Sequence, residues 1–290
     1  MVDVERAAQP ADPGKQAAIE QWTADPCGSS IAEGEQGSKT YFENLLRGRF
    51  EYGPWMPDSL GYDETAGLRV LDVGCGQGID VYRYALAGAH ATGVDLTPRH
   101  VELAAAHLAA MGLQAEIVEG DAESLPFETA SFDRVSSNGV LHHTPDMPAA
   151  LREIRRVLVP GGEARVIVYN RNSFHYWLTQ VLLEGVLRRG LLKERSMAGV
   201  LSRGVEYSSI GARPLVRVYS PGQMRKQLAE AGFAGVDIAV RHFQPTDTPV
   251  TYVLRRWVKP LENPAVLDRI GRIGGWYVVA TGTKPASAQS

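Results

Sequence analysis

The residues of this chain whose types and spacing could do chemistry are a glycine triplet, three carboxylates and a pair of histidines. Val70-Leu71-Asp72-Val73-Gly74-Cys75-Gly76-Gln77-Gly78 is an apolar, β-branched run ending in an acid and three glycines at every second position. A helical stretch, Ile79 to Leu86, follows directly. This reads as a strand feeding a glycine loop that opens a helix. Glycine lets the backbone take positive φ and lets a ligand lie against bare main chain, while the helix start offers unpaired N–H groups. Asp95 comes 21 residues after Gly74 and precedes Pro98. A carboxylate there accepts from two adjacent ribose hydroxyls, or else caps the next helix. Asp121 stands in Gly120-Asp121-Ala122, after a third strand-like run. His142 and His143 end a fourth. An imidazole can take up a proton near neutral pH, although histidines at a strand end also serve as structural residues bonded to backbone carbonyls.

Positioning these groups requires an alternation of strands and helices. Leu68 to Val73 is strand 1, with a helix to about Ala87; Ala91 to Leu96 is strand 2, with a helix from Pro98 to Met111. Ala115 to Glu119 is strand 3 and Ser131 to Asn138 strand 4; a helix from Met147 to Leu158 ends at Pro160-Gly161-Gly162, and Glu163 to Tyr169 is strand 5. Strands alternating with helical patterns imply parallel pairing with helices on both faces, and the ligand of such a sheet sits beyond the carboxyl ends of its strands. The rhythm then breaks. Asn170 to Ser220 intervenes with a helix, Phe174 to Arg189, and a loop, Ser202 to Pro214, before a helix at Pro221 to Ala231, strand 6 at Val236 to Phe243 and strand 7 at Trp276 to Thr283. A departure of that length is more often functional than idle. The predicted organisation is an N-terminal tail and helical cap (1–67), a core (68–169), an insertion or lid (170–220) and a C-terminal part of the core (221–290) with a helical insertion at 244–275.

The loop is one residue tighter than the G-x-G-x-x-G of dinucleotide sites. With Asp72 ahead of it, it resembles the first motif of the class I S-adenosylmethionine (SAM)-dependent methyltransferases. Asp95, Gly120-Asp121-Ala122, Phe132-Asp133-Arg134-Val135 through Asn138-Gly139-Val140-Leu141-His142-His143, and Leu151 through Pro160-Gly161-Gly162 continue the resemblance in order over residues 68–169. The nearest branch is the methyltransferase-11, quinone-methyltransferase-like one. The resemblance implies a Rossmann-like, doubly wound α/β fold of seven strands, with the last antiparallel and inserted beside strand 5. It implies SAM as cofactor and S-adenosylhomocysteine as product. The cofactor residues it implies are Asp72, Gly74, Cys75, Gly76 and Gly78 at the methionine half, Asp95 at the ribose, Leu96 and Ala122 on the adenine faces, Asp121 at the adenine amine, and Asn138 and Gly139 beside the methionine. His143, and after it His142, fall where a methyl acceptor must sit. A helix before strand 1 covers SAM in related families, which brings in Trp22, Tyr41 and Tyr52. The insertion offers Tyr169, Asn170, His175, Tyr176, Glu206 and Tyr207 to the acceptor, or else packs them onto the sheet.

Composition sets the outer bounds. The chain has 290 residues, 44% apolar and 22% charged, with a formal net charge of -3. That is room for a full core, and nothing in the balance suggests a nucleic-acid partner. Cys27 and Cys75 are the two cysteines and read as free thiols in a reducing cytoplasm. No signal-peptide pattern opens the chain, and no apolar run approaches the ~20 residues of a membrane span. No Cys/His cluster has metal spacing, and adjacent histidines are not an i, i+4 pair on a helix, so no metal site is expected. The reading is methyl transfer to O, N, C or S of a small-molecule acceptor by a cytoplasmic monomer or homodimer. The alternatives are a SAM-binding enzyme of the same fold with other chemistry and, more distantly, an NAD-type oxidoreductase.

Overall fold

The structure is a computed structural model and describes residues 12–206 and 208–286. Its frame is one seven-stranded sheet: β1 (Arg69–Val73), β2 (His90–Asp95), β3 (Glu116–Glu119), β4 (Phe132–Asn138), β5 (Leu158–Tyr169), β6 (Ala234–Arg241) and β7 (Tyr277–Thr283). The order is β3-β2-β1-β4-β5-β7-β6. The first five strands pair in parallel, and β7 runs antiparallel between β5 and β6. This is the doubly wound sheet expected from the sequence.

The pleat explains why both faces are buried. Successive side chains of a strand point to opposite faces. Leu71 and Val73 enter one core with Leu151, Ile154, Met224 and Leu228, whereas Val70 and Ile167 enter the other with Val81, Tyr84 and Leu108. The first core is closed by α6 (Met147–Val157) and α9 (Pro221–Glu230), the second by α4 (Ile79–Leu86) and α5 (Pro98–Ala110). Truncating a fully buried leucine such as Leu151 to alanine would cost about 2–5 kcal/mol.

Ahead of the sheet lie α1 (Pro13–Ala24), α2 (Lys39–Tyr52) and the short α3 (Met56–Leu60). Ser38 caps α2 by accepting from the Tyr41 N–H at 3.2 Å, which starts the helix where its hydroxyl predicts. That helix runs on to Tyr52, and α3 begins where the sequence, with Pro54 and Pro57, suggested only loop. Proline at the first turn of a helix is tolerated because its missing N–H would be unpaired there anyway.

The segment after β5 differs from expectation in its winding. His175–Leu187 is a π-helix, and α7 (Gly190–Glu194) and α8 (Met197–Gly204) follow it. Leu201, Val216 and Tyr219 of this segment are buried in the cores, so it is packed onto the sheet as well as lying over it. A second excursion, between β6 and β7, holds α10 (Pro249–Leu254) and α11 (Pro264–Gly274). β5 starts five residues earlier than Glu163, because Leu158 pairs with Phe132 and the chain reaches Glu163 through a register shift in the β4–β5 ladder. No helix among the described residues is long and apolar enough to cross a membrane.

Candidate active site

The strand order reverses direction between β1 and β4, and a cavity of about 340 Å³ opens beyond their carboxyl ends. That is where an open α/β sheet leaves room for a ligand, and the volume is in the range of small-molecule pockets. The glycine loop forms its floor. Gly74, Gly76 and Gly78 all have positive φ, but Gly74 and Gly76 differ in their surroundings. A Cβ on Gly74 would meet Val140 at 2.4 Å, whereas one on Gly76 would meet nothing within 4 Å. Gly74 is thus required for packing against the turn after β4. Gly76 presents bare backbone to the cavity. The loop is tied to β2 by the N–H groups of Gly74 and Cys75, which donate to Val94 O at 2.7 and 3.0 Å.

At one end of the cavity Asp95 is buried and holds a dense set of donors. Its Oδ2 accepts from Gly76 N at 2.9 Å, and Oδ1 accepts from Thr97 N at 2.9 Å and faces His100 Nδ1 at 3.2 Å. Cys27 N–H donates to the other nitrogen of that ring at 3.3 Å, which makes Nδ1 the protonated one. Burial pushes the Asp95 carboxyl up, but His100 and the two N–H groups outweigh it and hold it below its ordinary value. A carboxylate has about four acceptor sites, so capacity remains for a hydroxyl. Asp121 and Ala122 line the same end, as does Leu96. Asp121 receives Lys15 Nζ at 2.6 Å and the Glu123 N–H at 2.9 Å. Lys15 also reaches Glu123 at 2.5 Å. Helix α1 is thereby pinned across this end, with Trp22 on the cavity wall.

The middle of the cavity carries both signs of charge. Asp80 accepts from the Tyr62 hydroxyl at 2.6 Å and from Asn138 Nδ2 at 3.1 Å, and Arg49 Nη2 lies 3.5 Å away. Arg49 Nε is buried without a hydrogen-bond partner. Behind them Asp72, bonded to Ser136 Oγ at 2.9 Å, is pushed well above the carboxylate range by burial and by Asp80. A guanidinium with an unused donor beside a crowded pair of acids suits a zwitterion, carboxylate toward Arg49 and ammonium toward the acids.

The far end is aromatic. Tyr52, Tyr169 and Tyr277 line it with His143 and Glu206. Burial pushes the Tyr52 phenol up to about 12 and those of Tyr169 and Tyr277 well above their ordinary value, so all three stay protonated near neutral pH and none is a base. Tyr169 donates to Glu206 Oε1 at 2.6 Å. His143 Nδ1 lies 2.7 Å from Leu215 O and must donate to it, which leaves the Nε2 lone pair directed toward Glu206 Oε1, 3.6 Å away.

Several expected residues lie off the cavity wall. Asp72 and Gly78 sit beneath the loop, Gly78 against Ala104. Tyr41 is buried and donates to Gln77 Oε1 at 2.9 Å; Gln77 in turn donates to Cys27 O, so Tyr41 fastens the cap to the loop. Asn170 is consumed by Gly275 O and the Asn172 N–H. His175 is bonded to Asp247 O and Gln180. His142 is fully buried behind His143. Tyr207 lies outside the described residues. Cys27 and Cys75 are both free and both line the cavity, and burial keeps the Cys75 thiol protonated. Sequence reasoning missed Arg49, Asp80, Tyr277 and Lys15. Asp80, at the second position of the helix after the loop, carried a signal as an acid at a helix start; the other three carried none.

Comparison with known proteins places this geometry. Residues 71–166 match a family model described as a methyltransferase domain. A ubiquinone biosynthesis O-methyltransferase of Xanthomonas axonopodis pv. citri is 38% identical over 126 residues, which is 43% of this chain and 53% of that protein. One from Aromatoleum aromaticum is 28% identical over 209 residues, 69% of this chain and 80% of that protein. The chain spans about half the length of the first curated relatives it matches. Among solved structures, the 4+2 cyclase SpnF superimposes with a TM-score of 0.55 at 21% identity, covering 94% of both chains. A SAM-dependent methyltransferase of Methanosarcina mazei gives 0.53 at 19% identity, covering 77% of this chain and 95% of its own. At such identities the likeness speaks for the fold alone.

Proposed function

Because residues 71–166 match a family model described as a methyltransferase domain, we propose that this chain moves the methyl group of SAM to a hydroxyl of a small-molecule acceptor. The observation that carries this reading is the continuity of the cavity from the Asp95–Asp121 end to the His143–Glu206 end. SAM fits what lines it. Asp95 would accept from the ribose hydroxyls, and Leu96 and Ala122 would flank the adenine. Arg49 Nε, a buried donor with no partner, would take the carboxylate of the methionine part, and Asp80 its ammonium. When bound, SAM supplies a positively charged sulfonium with a methyl group open to in-line displacement.

The residues of this chain do the rest. They orient the nucleophile, since an approach within about 3–3.5 Å on the correct axis accounts for much of the rate. Helices α1 and α2 shut out water, held by Lys15 on Asp121 and by Tyr41 on Gln77. His143 Nε2 faces the acceptor region with its lone pair, because Nδ1 is committed to Leu215 O, and it receives the acceptor's proton. The relatives named for ubiquinone biosynthesis are O-methyltransferases, which supports oxygen as the methylated atom and an aromatic, hydroxylated acceptor against Tyr52, Tyr169 and Tyr277.

The test is calorimetry with SAM and S-adenosylhomocysteine, followed by incubation of the protein and SAM with a panel of phenols and catechols. The expected result is micromolar binding of both and S-adenosylhomocysteine formed together with a product one methyl heavier. Saturable NAD binding without SAM binding would overturn the reading. SAM binding with conversion of a substrate but no gain of methyl would turn it into a non-transferring enzyme on the same fold.

A further inference from the structure

We propose that His142, His143 and Glu206 together bind one divalent first-row transition-metal ion at the acceptor end of the cavity. One ligand atom from each of the three lies within 4.8 Å of the others. Two imidazoles and one carboxylate are the donor set of borderline divalent ions such as Zn(II), Fe(II) and Mn(II). The proposal rests on the proposed function only for what the ion acts upon.

Two observations point to a cation independently of proximity. The first is His142. Its side chain is fully buried and neither ring nitrogen has a hydrogen-bond partner. A buried polar group left without a partner is costly, and its ring is held in place between Tyr169, with centroids 3.9 Å apart, and His143, 4.2 Å apart. The second is the contact between His143 and Glu206. His143 Nδ1 is committed to Leu215 O, so in the neutral imidazole the atom facing Glu206 Oε1 at 3.6 Å is a lone pair meeting an oxygen. In that form two acceptors face each other with no donor between them. A cation at that point satisfies both.

The surroundings match a metal centre in two further ways. A ligating histidine normally donates its other N–H to a carbonyl or carboxylate, and a ligating carboxylate is itself hydrogen-bonded. Leu215 O and the Tyr169 hydroxyl, 2.6 Å from Glu206, fill those places. Three protein ligands also leave coordination positions open, and His143 and Glu206 are on the cavity wall, so those positions face the acceptor. Ligand atoms of a four-coordinate site lie roughly 3.4 Å apart, so a bound ion would draw the three side chains inward. An ion there acidifies a hydroxyl that binds it. The hydroxyl proton then passes to solvent, and the ion takes over the task that His143 would otherwise perform. The ligands come from the turn after β4 and from the segment after α8, so the ion would also clasp the insertion to the core.

The experiment uses the full chain stripped with a chelator and titrated with Co(II), whose visible bands report coordination. The expected result is saturation at one Co(II) per chain, displacement by Zn(II), and an affinity lowered at least about tenfold by Glu206→Gln and by His143→Ala. Glu206 is only partly buried, so Glu206→Gln leaves the fold in place even where changes at His142 do not. Absence of a saturable Co(II) signal, or equal affinity in the wild type and both variants, overturns the site. S-adenosylhomocysteine calorimetry on the same samples separates the two claims. Binding of the nucleoside without Co(II) removes the metal site and leaves the proposed function standing. Co(II) bound by a chain that ignores the nucleoside does the reverse.

Discussion

The two ends of the cavity are built by different means. The Asp95 end comes from consecutive strand–turn–helix units: the glycine loop, Asp95 and Asp121 each follow a neighbouring parallel strand, and the backbone N–H groups they accept from lie within these same units, two to 19 residues away. The His143 end is assembled from distant pieces of chain. Tyr52 precedes the sheet, Tyr277 begins the last strand in the chain, and Glu206 comes from the insertion, yet Tyr52 and Tyr277 share a hydroxyl contact at 3.2 Å and Glu206 bonds Tyr169. A site made of local turns tolerates few alternatives. One made of separate elements can be rebuilt without touching the sheet, and this is how one fold can serve many acceptors.

The largest expected effect breaks the local end. Gly74→Ala puts a Cβ 2.4 Å from Val140 in a backbone with φ near +75°. The left-handed conformation costs about 1–2 kcal/mol and the overpacking about 1–3 kcal/mol more. Urea unfolding should show a loss of roughly 2–5 kcal/mol, with nucleoside binding abolished. Gly76→Ala meets nothing within 4 Å, so it should cost only the backbone term and still weaken binding. Equal midpoints for the wild type and Gly74→Ala would sink this account of the loop.

The second effect belongs to the assembled end and is read by pH. His242 is buried against Tyr52 and Trp55, with rings 4.4 and 6.3 Å away. Burial, aided by His175, pushes its pKa down to about 4. The folded state therefore binds fewer protons than the unfolded one. Its contribution is present above pH 6.5 and is lost as pH falls toward 4, by at most about 3 kcal/mol. His242→Asn, which tolerates the positive φ at this position, should flatten the acid limb of stability between those values. An unchanged limb would show that His242 protonates without cost.

A third pair divides the part of the cavity proposed to hold the cofactor. Asp95→Ala should weaken S-adenosylhomocysteine binding by about 1–3 kcal/mol through stranded hydrogen-bond partners, with adenosine as a competitor equally affected. Arg49→Met should cost a similar amount but leave adenosine binding unchanged, because its contact is with the amino-acid part. If both variants affect adenosine alike, Arg49 has been placed at the wrong end of the ligand.

The same contrast explains what could be read from the sequence. The strands of the sheet, the loop and the acids at 95 and 121 were legible because short-range spacing fixes them: an apolar run, a turn, a helix start. Ser38 announced α2 as a cap for the same reason. Arg49 was not legible, since nothing along α2 says that its side chain reaches Asp80 across 31 positions. Nor was the partnership of His143 with Glu206, which depends on how the insertion folds back over β4. Asn170 and His175 illustrate the opposite error. Polar residues opening an insertion look available for a ligand, yet both are consumed by backbone carbonyls that the excursions leave unpaired, because buried backbone groups must find partners.

The smallest expected effect tests whether the assembled end does chemistry or only shape. Tyr169→Phe removes a hydroxyl that donates to Glu206 Oε1 and leaves the ring stacked on Trp276 at 4.6 Å. Packing is preserved, so S-adenosylhomocysteine affinity should stay within error of the wild type and stability should fall by no more than the one hydrogen bond lost. Glu206 loses its donor, a hydrogen bond to a charged group worth about 1.5–3 kcal/mol. It is then free to swing away from His143. The expected outcome is a kcat lower by about tenfold to a hundredfold at nearly constant KM for SAM. A fall in stability with kcat unchanged would make Tyr169 a wall of the pocket and nothing more. A fall in kcat alone would tie the Tyr169–Glu206–His143 chain to the acceptor, and the acceptor end would then owe its reactivity to contacts made across 37 and 63 positions of sequence.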